Sequence, residues 1–103
     1  MSTWNQICPL EDIPVLGSRV VQRQIGGDIA IFRTEQNEVF ALHDQCPHKK
    51  GPLSQGLVHG RQVTCPLHGW NIDLVEGVVI APDVGSCSKF KVKIEDGQVY
   101  LSL

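Results

Sequence analysis

Two short segments of this chain each pair a thiol with an imidazole. They are Cys46-Pro47-His48 and, after sixteen intervening residues (49 to 64), Cys65-Pro66-Leu67-His68. With one or two residues between the donors, both side chains of a segment can converge on one metal centre if the backbone turns sharply. Pro47 and Pro66 fix φ directly after each cysteine, and Gly69 tolerates an unusual backbone directly after His68. Thiolates select zinc, Cu(I) or iron–sulfur centres, and imidazole suits zinc or iron. Two chemistries follow. One is a tetrahedral zinc with two Cys and two His ligands. The other is a [2Fe–2S] cluster with both thiolates on one iron and both imidazoles on the other.

The spacing favours the cluster. A common zinc-finger order places both cysteines first and then presents both histidines from a helix. Here each segment is mixed, as two similar loops clamping a two-iron centre would require. The stretch between them has no helical apolar period. Lys49-Lys50-Gly51-Pro52-Leu53-Ser54-Gln55-Gly56 is turn chemistry, and Leu57-Val58 and Gln62-Val63-Thr64 read as short strands.

Cys46-x-His48 and Cys65-x-x-His68, with Gly69-Trp70 following, closely resemble the Rieske motif. The stretch Cys46-Pro47-His48-Lys49-Lys50-Gly51-Pro52-Leu53-Ser54-Gln55-Gly56 is similar to the small subunit of the assimilatory NAD(P)H-dependent nitrite reductases. This resemblance implies a [2Fe–2S] Rieske cluster on Cys46, His48, Cys65 and His68, and one-electron transfer within nitrate assimilation. It implies a large subunit as partner, which supplies FAD, the NAD(P)H site, a [4Fe–4S] cluster and sirohaem and reduces nitrite to ammonia. The fold it implies is all-β: an antiparallel sandwich or partly open barrel forming one domain over 1–103, with a cluster-binding subdomain inserted at about 44 to 81.

The resemblance also bears on the potential. High-potential Rieske proteins hydrogen-bond their cluster from a Ser two residues after the second His and a Tyr four residues after it. Those positions are Trp70 and Ile72 here, which implies a potential in the lower part of the Rieske range. The extra cysteine pair that clamps respiratory Rieske loops is absent. Two rival readings remain. A free Rieske ferredoxin of a ring-hydroxylating dioxygenase system has the same chemistry and another customer. A zinc-stabilised, non-redox interaction subunit would be colourless and still bind its partner.

The other motifs are plainer. Lys49-Lys50 read first as solvated lysines and second as a docking point for an acidic partner surface. Cys8 and Cys87 read as small buried or half-buried side chains. His43 and His59 are not ligand candidates, and Trp4 and Phe40 read as core. No nucleophile triad, phosphate-cradling glycine loop or paired-carboxylate site is present, so the chain holds no complete active site of its own.

With 103 residues the chain has room for one domain. Nine basic against eleven acidic residues, a net charge of −2, point to neither nucleic acid nor an anionic membrane. The polar start Met1-Ser2-Thr3-Trp4-Asn5-Gln6 lacks the pattern of a signal peptide, and no apolar run is long enough to span a bilayer. A cytoplasmic protein is expected.

The elements that must position the two loops read as short strands. Trp4 to Ile7 is a strand, Pro9 to Pro14 a turn or single helical turn. Ser18 to Ile25 and Asp28 to Thr34 form a hairpin across Gly26-Gly27. After a turn at Gln36-Asn37, Val39 to Leu42 delivers the first loop. Trp70 to Asp73 leaves the second, followed by a turn at Glu76-Gly77, a strand at Val78 to Ile80 and a loop at Pro82 to Ser86. A last hairpin turns at Asp96-Gly97, with Phe90, Val92, Ile94, Val99, Leu101 and Leu103 as its buried face.

Overall fold

Short runs of β-branched and aromatic residues, cut every few positions by Gly, Asn or Asp, favour strands and tight turns over helices. The computed structural model describes residues 4–23, 25–45, 51–66, 69–80 and 85–102. Its strands are β1 (Trp4–Pro9), β2 (Ser18–Val21), β3 (Ile29–Arg33), β4 (Val39–His43), β5 (Leu57–His59), β6 (Gln62–Thr64), β7 (Asn71–Asp73), β8 (Val78–Val79), β9 (Lys89–Phe90), β10 (Val92–Glu95) and β11 (Gln98–Ser102). Single 3₁₀ turns lie at Leu10–Asp12 and Leu53–Gln55.

The strands form three antiparallel sheets, ordered β1–β11–β10, β2–β3–β4–β9 and β5–β6–β7–β8. The third sheet lies, in sequence, wholly between β4 and β9 of the second. Among the described residues no closed barrel forms, and the expected all-β, antiparallel architecture holds.

The second sheet is the middle layer, and β3 shows why. Its residues Ile29 to Phe32 are all buried, although neighbours on a strand point to opposite faces. Ile29 and Ile31 pack with Cys8, Ala41, Val99 and Leu101 toward the first sheet. Ala30 and Phe32 pack with Leu42, Val63, Cys65 and Ile72 toward the third. A strand buried on both faces reads as an uninterrupted apolar run, as Ile29-Ala30-Ile31-Phe32 does. Each fully buried aliphatic or aromatic side chain contributes about 1.5–3 kcal/mol.

Turn chemistry sets the register where it was legible. Asp96 and Gly97 both have positive φ, 53° and 75°, the backbone of a tight hairpin whose strands pair Glu95 with Gln98. The hairpin across Gly26-Gly27 forms, but β2 ends at Val21 instead of Ile25. Arg23 takes over the turn: Nε donates to the Gly27 carbonyl at 2.7 Å and Nη2 to the Gly26 carbonyl at 2.7 Å. Strand β1 runs on to Pro9 with a bulge between Gln6 and Cys8, which an edge strand accommodates.

Three sequence expectations are corrected. Phe90 and Val92 do not share a strand partner: β9 pairs with β4, β10 pairs with β11, and the chain changes sheet at Lys91. Ile94 is 38% exposed, because β10 is an edge strand whose far end leaves the core. Trp4 is also exposed, and its ring serves as a platform for the Lys93 ammonium at 4.7 Å. Leu103 lies outside the described residues.

Candidate metal centre

Cys65 is the residue after β6, and its environment follows from the hairpin that carries it. Thr64 pairs with Asn71 across β6 and β7, and Thr64 Oγ1 donates to Asn71 Oδ1 at 2.6 Å. Thr64 Oγ1 also lies 2.7 Å from His59 Nε2, which ties the two ends of the β5–β6 hairpin together. Beyond this rung the chain closes on itself: Cys65 N–H donates to the Trp70 carbonyl at 2.7 Å, and Gly69 N–H to the Cys65 carbonyl at 3.0 Å. Gly69 has φ +70°, a conformation that the closure needs and that glycine adopts without strain. Cys65 itself is 1% exposed, among Leu53, Val63 and Ile72. A thiol so placed is shielded from water and set at the root of a tight loop, which fits a structural or cluster ligand.

The base of the first loop is held with equal care. His43 N–H donates to the Ser88 carbonyl, Asp44 N–H to the Asp28 carbonyl and Gln45 N–H to the His43 carbonyl. The Asp44 carboxylate then reaches across the loop: Oδ1 accepts from Ser54 N–H at 2.7 Å and Oδ2 from Ser54 Oγ at 2.8 Å. Sequence reading missed this clasp, since ten residues separate its members and neither carries a short-range signal. Leu53 beside it is fully buried in the same apolar cluster as Cys65. Gly56 passes so close to the Thr64 carbonyl that a β-carbon would collide with it. The exit of the first loop therefore lies against the entry to the second.

Cys46, His48 and the neighbouring Lys49 and Lys50 lie outside the described residues, as does His68. Of the four expected ligands the structure thus describes Cys65. Among the described residues no group of three or more His, Cys, Asp or Glu could hold a metal ion.

The cysteines outside the two motifs are small side chains packed in or beside the core, as expected, whereas His59, which reads as a turn residue, is the last residue of β5. Cys8 is buried in the first-sheet cluster, and Cys87 is half-buried, its Sγ 3.6 Å from the Gln45 carbonyl; neither forms a disulfide. The His43 ring covers Gly27, whose β-carbon would stand 2.5 Å from its Nε2. Phe40 packs partly buried against the cluster containing Cys65. Among the described residues no helix is long and apolar enough to cross a membrane.

The Rieske [2Fe-2S] domain matches residues 3–91. The ferredoxin component of the naphthalene 1,2-dioxygenase/salicylate 5-hydroxylase systems of Ralstonia sp is 32% identical over 101 residues, covering 97% of this chain and 95% of that protein. A 4beta-methylsterol monooxygenase of Methylococcus capsulatus is 50% identical over 48 residues, 47% of this chain, which spans only 13% of that longer protein. Among solved structures, the E. coli protein NirD aligns at TM-score 0.85 and 27% identity, covering 100% of this chain and 98% of that one. A complex of reduced oxygenase and oxidized ferredoxin in carbazole 1,9a-dioxygenase aligns at TM-score 0.85 and 26% identity, covering 96% of this chain and 92% of that one.

Proposed function

This chain belongs to the Rieske [2Fe-2S] family, and on that footing we propose that Cys46, His48, Cys65 and His68 hold its [2Fe–2S] cluster and that it serves as the small subunit of an assimilatory NAD(P)H-dependent nitrite reductase. It is a Rieske electron-transfer protein with a [2Fe–2S] cluster. When bound, the cluster takes up and gives back one electron, at a potential that two neutral imidazoles raise above that of all-Cys clusters.

The observation that carries the ligand assignment is the buried Cys65, rooted in a closed turn between β6 and β7. The donor set fits the group chemically: two thiolates for one iron, two imidazoles for the other. The residues around it exclude water on one side through Leu53, Val63 and Ile72. Residues 44 to 81 then act as the cluster-binding subdomain of a single Rieske domain over 1–103. The nitrite reductase assignment is supported by the end-to-end likeness to NirD. Its partner is a large subunit carrying FAD, a [4Fe–4S] cluster and sirohaem, in the cytoplasm.

A second reading has its own support. The full-length identity to a dioxygenase ferredoxin favours a ring-hydroxylating oxygenase as electron acceptor. Two measurements decide. The anaerobically purified protein is expected to be red-brown and, after dithionite, to give the low-average-g EPR signal of a mixed Cys/His cluster, which Cys65→Ser abolishes. A colourless protein with one tightly bound zinc overturns the redox role. Stopped-flow reoxidation of the reduced protein is then compared between a sirohaem-containing nitrite reductase large subunit and a terminal oxygenase. Rapid reoxidation by the oxygenase alone overturns the nitrite reductase assignment.

A further inference from the structure

We infer that Asp44 is a positioning residue for the cluster, acting through Ser54 to hold the first ligand loop in register with the second. The inference rests on the ligand assignment proposed above and extends it to residues that touch no iron.

The two residues bracket the segment that carries Cys46 and His48. The Asp44 carboxylate accepts from Ser54 N–H at 2.7 Å and from Ser54 Oγ at 2.8 Å, so both of its oxygens are aimed at one residue. Hydrogen bonds to a carboxylate are shorter and stronger than neutral ones, and a paired set fixes orientation as well as distance. Each end of the clasp is tied to a different part of the middle sheet. Asp44 N–H donates to the Asp28 carbonyl at 2.9 Å, beside β3. The Ser54 carbonyl accepts from Ser18 Oγ of β2 at 2.9 Å. On the far side, Leu53 is buried beside Cys65 in one cluster, and Gly56 lies against the Thr64 carbonyl directly before Cys65. The path from Asp44 to the second loop is therefore continuous through packed, hydrogen-bonded groups, so movement at the clasp changes the spacing between the two ligand loops.

This predicts a separable pair of effects. Asp44→Ala removes both acceptors and frees the loop. Asp44→Asn keeps one acceptor for Ser54 N–H, and its amide can donate to Ser54 Oγ. It preserves the spacing while removing a negative charge near the cluster. The test follows cluster loss as bleaching of visible absorbance under a chelator, the EPR line shape of the dithionite-reduced protein, and the midpoint potential. For Asp44→Ala the expected result is cluster loss faster by about tenfold or more, the effect typical of losing a group that orients a metal ligand, with broadened g-values. For Asp44→Asn the expected result is a wild-type line shape, a loss rate close to wild type and a potential shifted upward. Ser54→Ala, which deletes only the Oγ bond, is expected to fall between wild type and Asp44→Ala.

If Asp44→Ala fails to fold, Asp44→Asn and Ser54→Ala carry the test. Variants that lower the melting temperature yet keep the line shape, potential and bleaching rate of wild type make the clasp merely structural and overturn the inference. A wild-type protein that binds zinc in place of iron overturns the cluster and its redox role instead, so the two failures are distinct.

Discussion

Ile72 lies four residues after His68, the position at which the Rieske resemblance implies a hydrogen-bonding Tyr in high-potential members. It is fully buried on β7, between Val63 and Val79, and its side chain has no donor. A redox titration is expected to give a midpoint in the lower part of the Rieske span of about −150 to +300 mV, and a value near the top would refute this. Cys8 makes a residue-scale prediction of another kind. Burial pushes its thiol up, with Arg19 pulling down and Asp12 adding to the rise. A thiol that keeps its proton more tightly when folded stabilises the fold fully below the unfolded thiol's pKa and loses that contribution as pH rises through the folded value. Stability is therefore expected to fall above about pH 8.5, the ordinary thiol value. Urea midpoints between pH 8 and pH 10 should drop for the wild type and drop less for Cys8→Ala.

At the scale of elements, close approach does what no single side chain could. The 3₁₀ turn Leu53–Gln55 and the end of β6 meet at Gly56, where a β-carbon would strike the Thr64 carbonyl and lie 2.9 Å from Val63 Cγ2. Gly56→Ala must push the two segments apart, at a cost of about 1–3 kcal/mol. Because Thr64 precedes Cys65, the displacement should reach the ligand loop. The expected outcome is a lower urea midpoint together with faster bleaching of the cluster; a stability loss with unchanged bleaching would uncouple the two. The Arg61–Glu38 pair, bidentate at 2.9 and 2.7 Å, ties the β5–β6 turn to the start of β4. It is exposed, so its stabilising effect is small.

The described residues form three sheets with two apolar clusters between them, and among these residues the ligand candidate Cys65 belongs to the cluster under the third sheet. Truncation in either should cost stability while differing in what it does to the cofactor. Leu101→Ala, in the cluster under the first sheet, is expected to lose about 2–5 kcal/mol with an unchanged EPR spectrum. Ile72→Ala, beside Cys65, is expected to lose a similar amount and also to alter the line shape. Equal spectral effects from both would mean that the middle sheet transmits strain from one side to the other.

The sequence by itself determined the chemistry and the class of fold. The Asp96-Gly97 turn and the run Ile29-Ala30-Ile31-Phe32 act through neighbours in the chain, where residue type and period are sufficient, and the spacing of the proposed ligands Cys46, His48, Cys65 and His68 is a signal of the same local kind. Tertiary structure alone decided the rest. The change of sheet at Lys91 depends on β4 and β11 competing for adjacent residues. Trp4 stays at the surface because β1 is an edge strand and Lys93 offers its ring a cation. The Asp44–Ser54 clasp joins groups whose meeting is set by β2, β3 and the buried Leu53. Each of these contacts joins residues that lie far apart in the chain, so no local pattern records it.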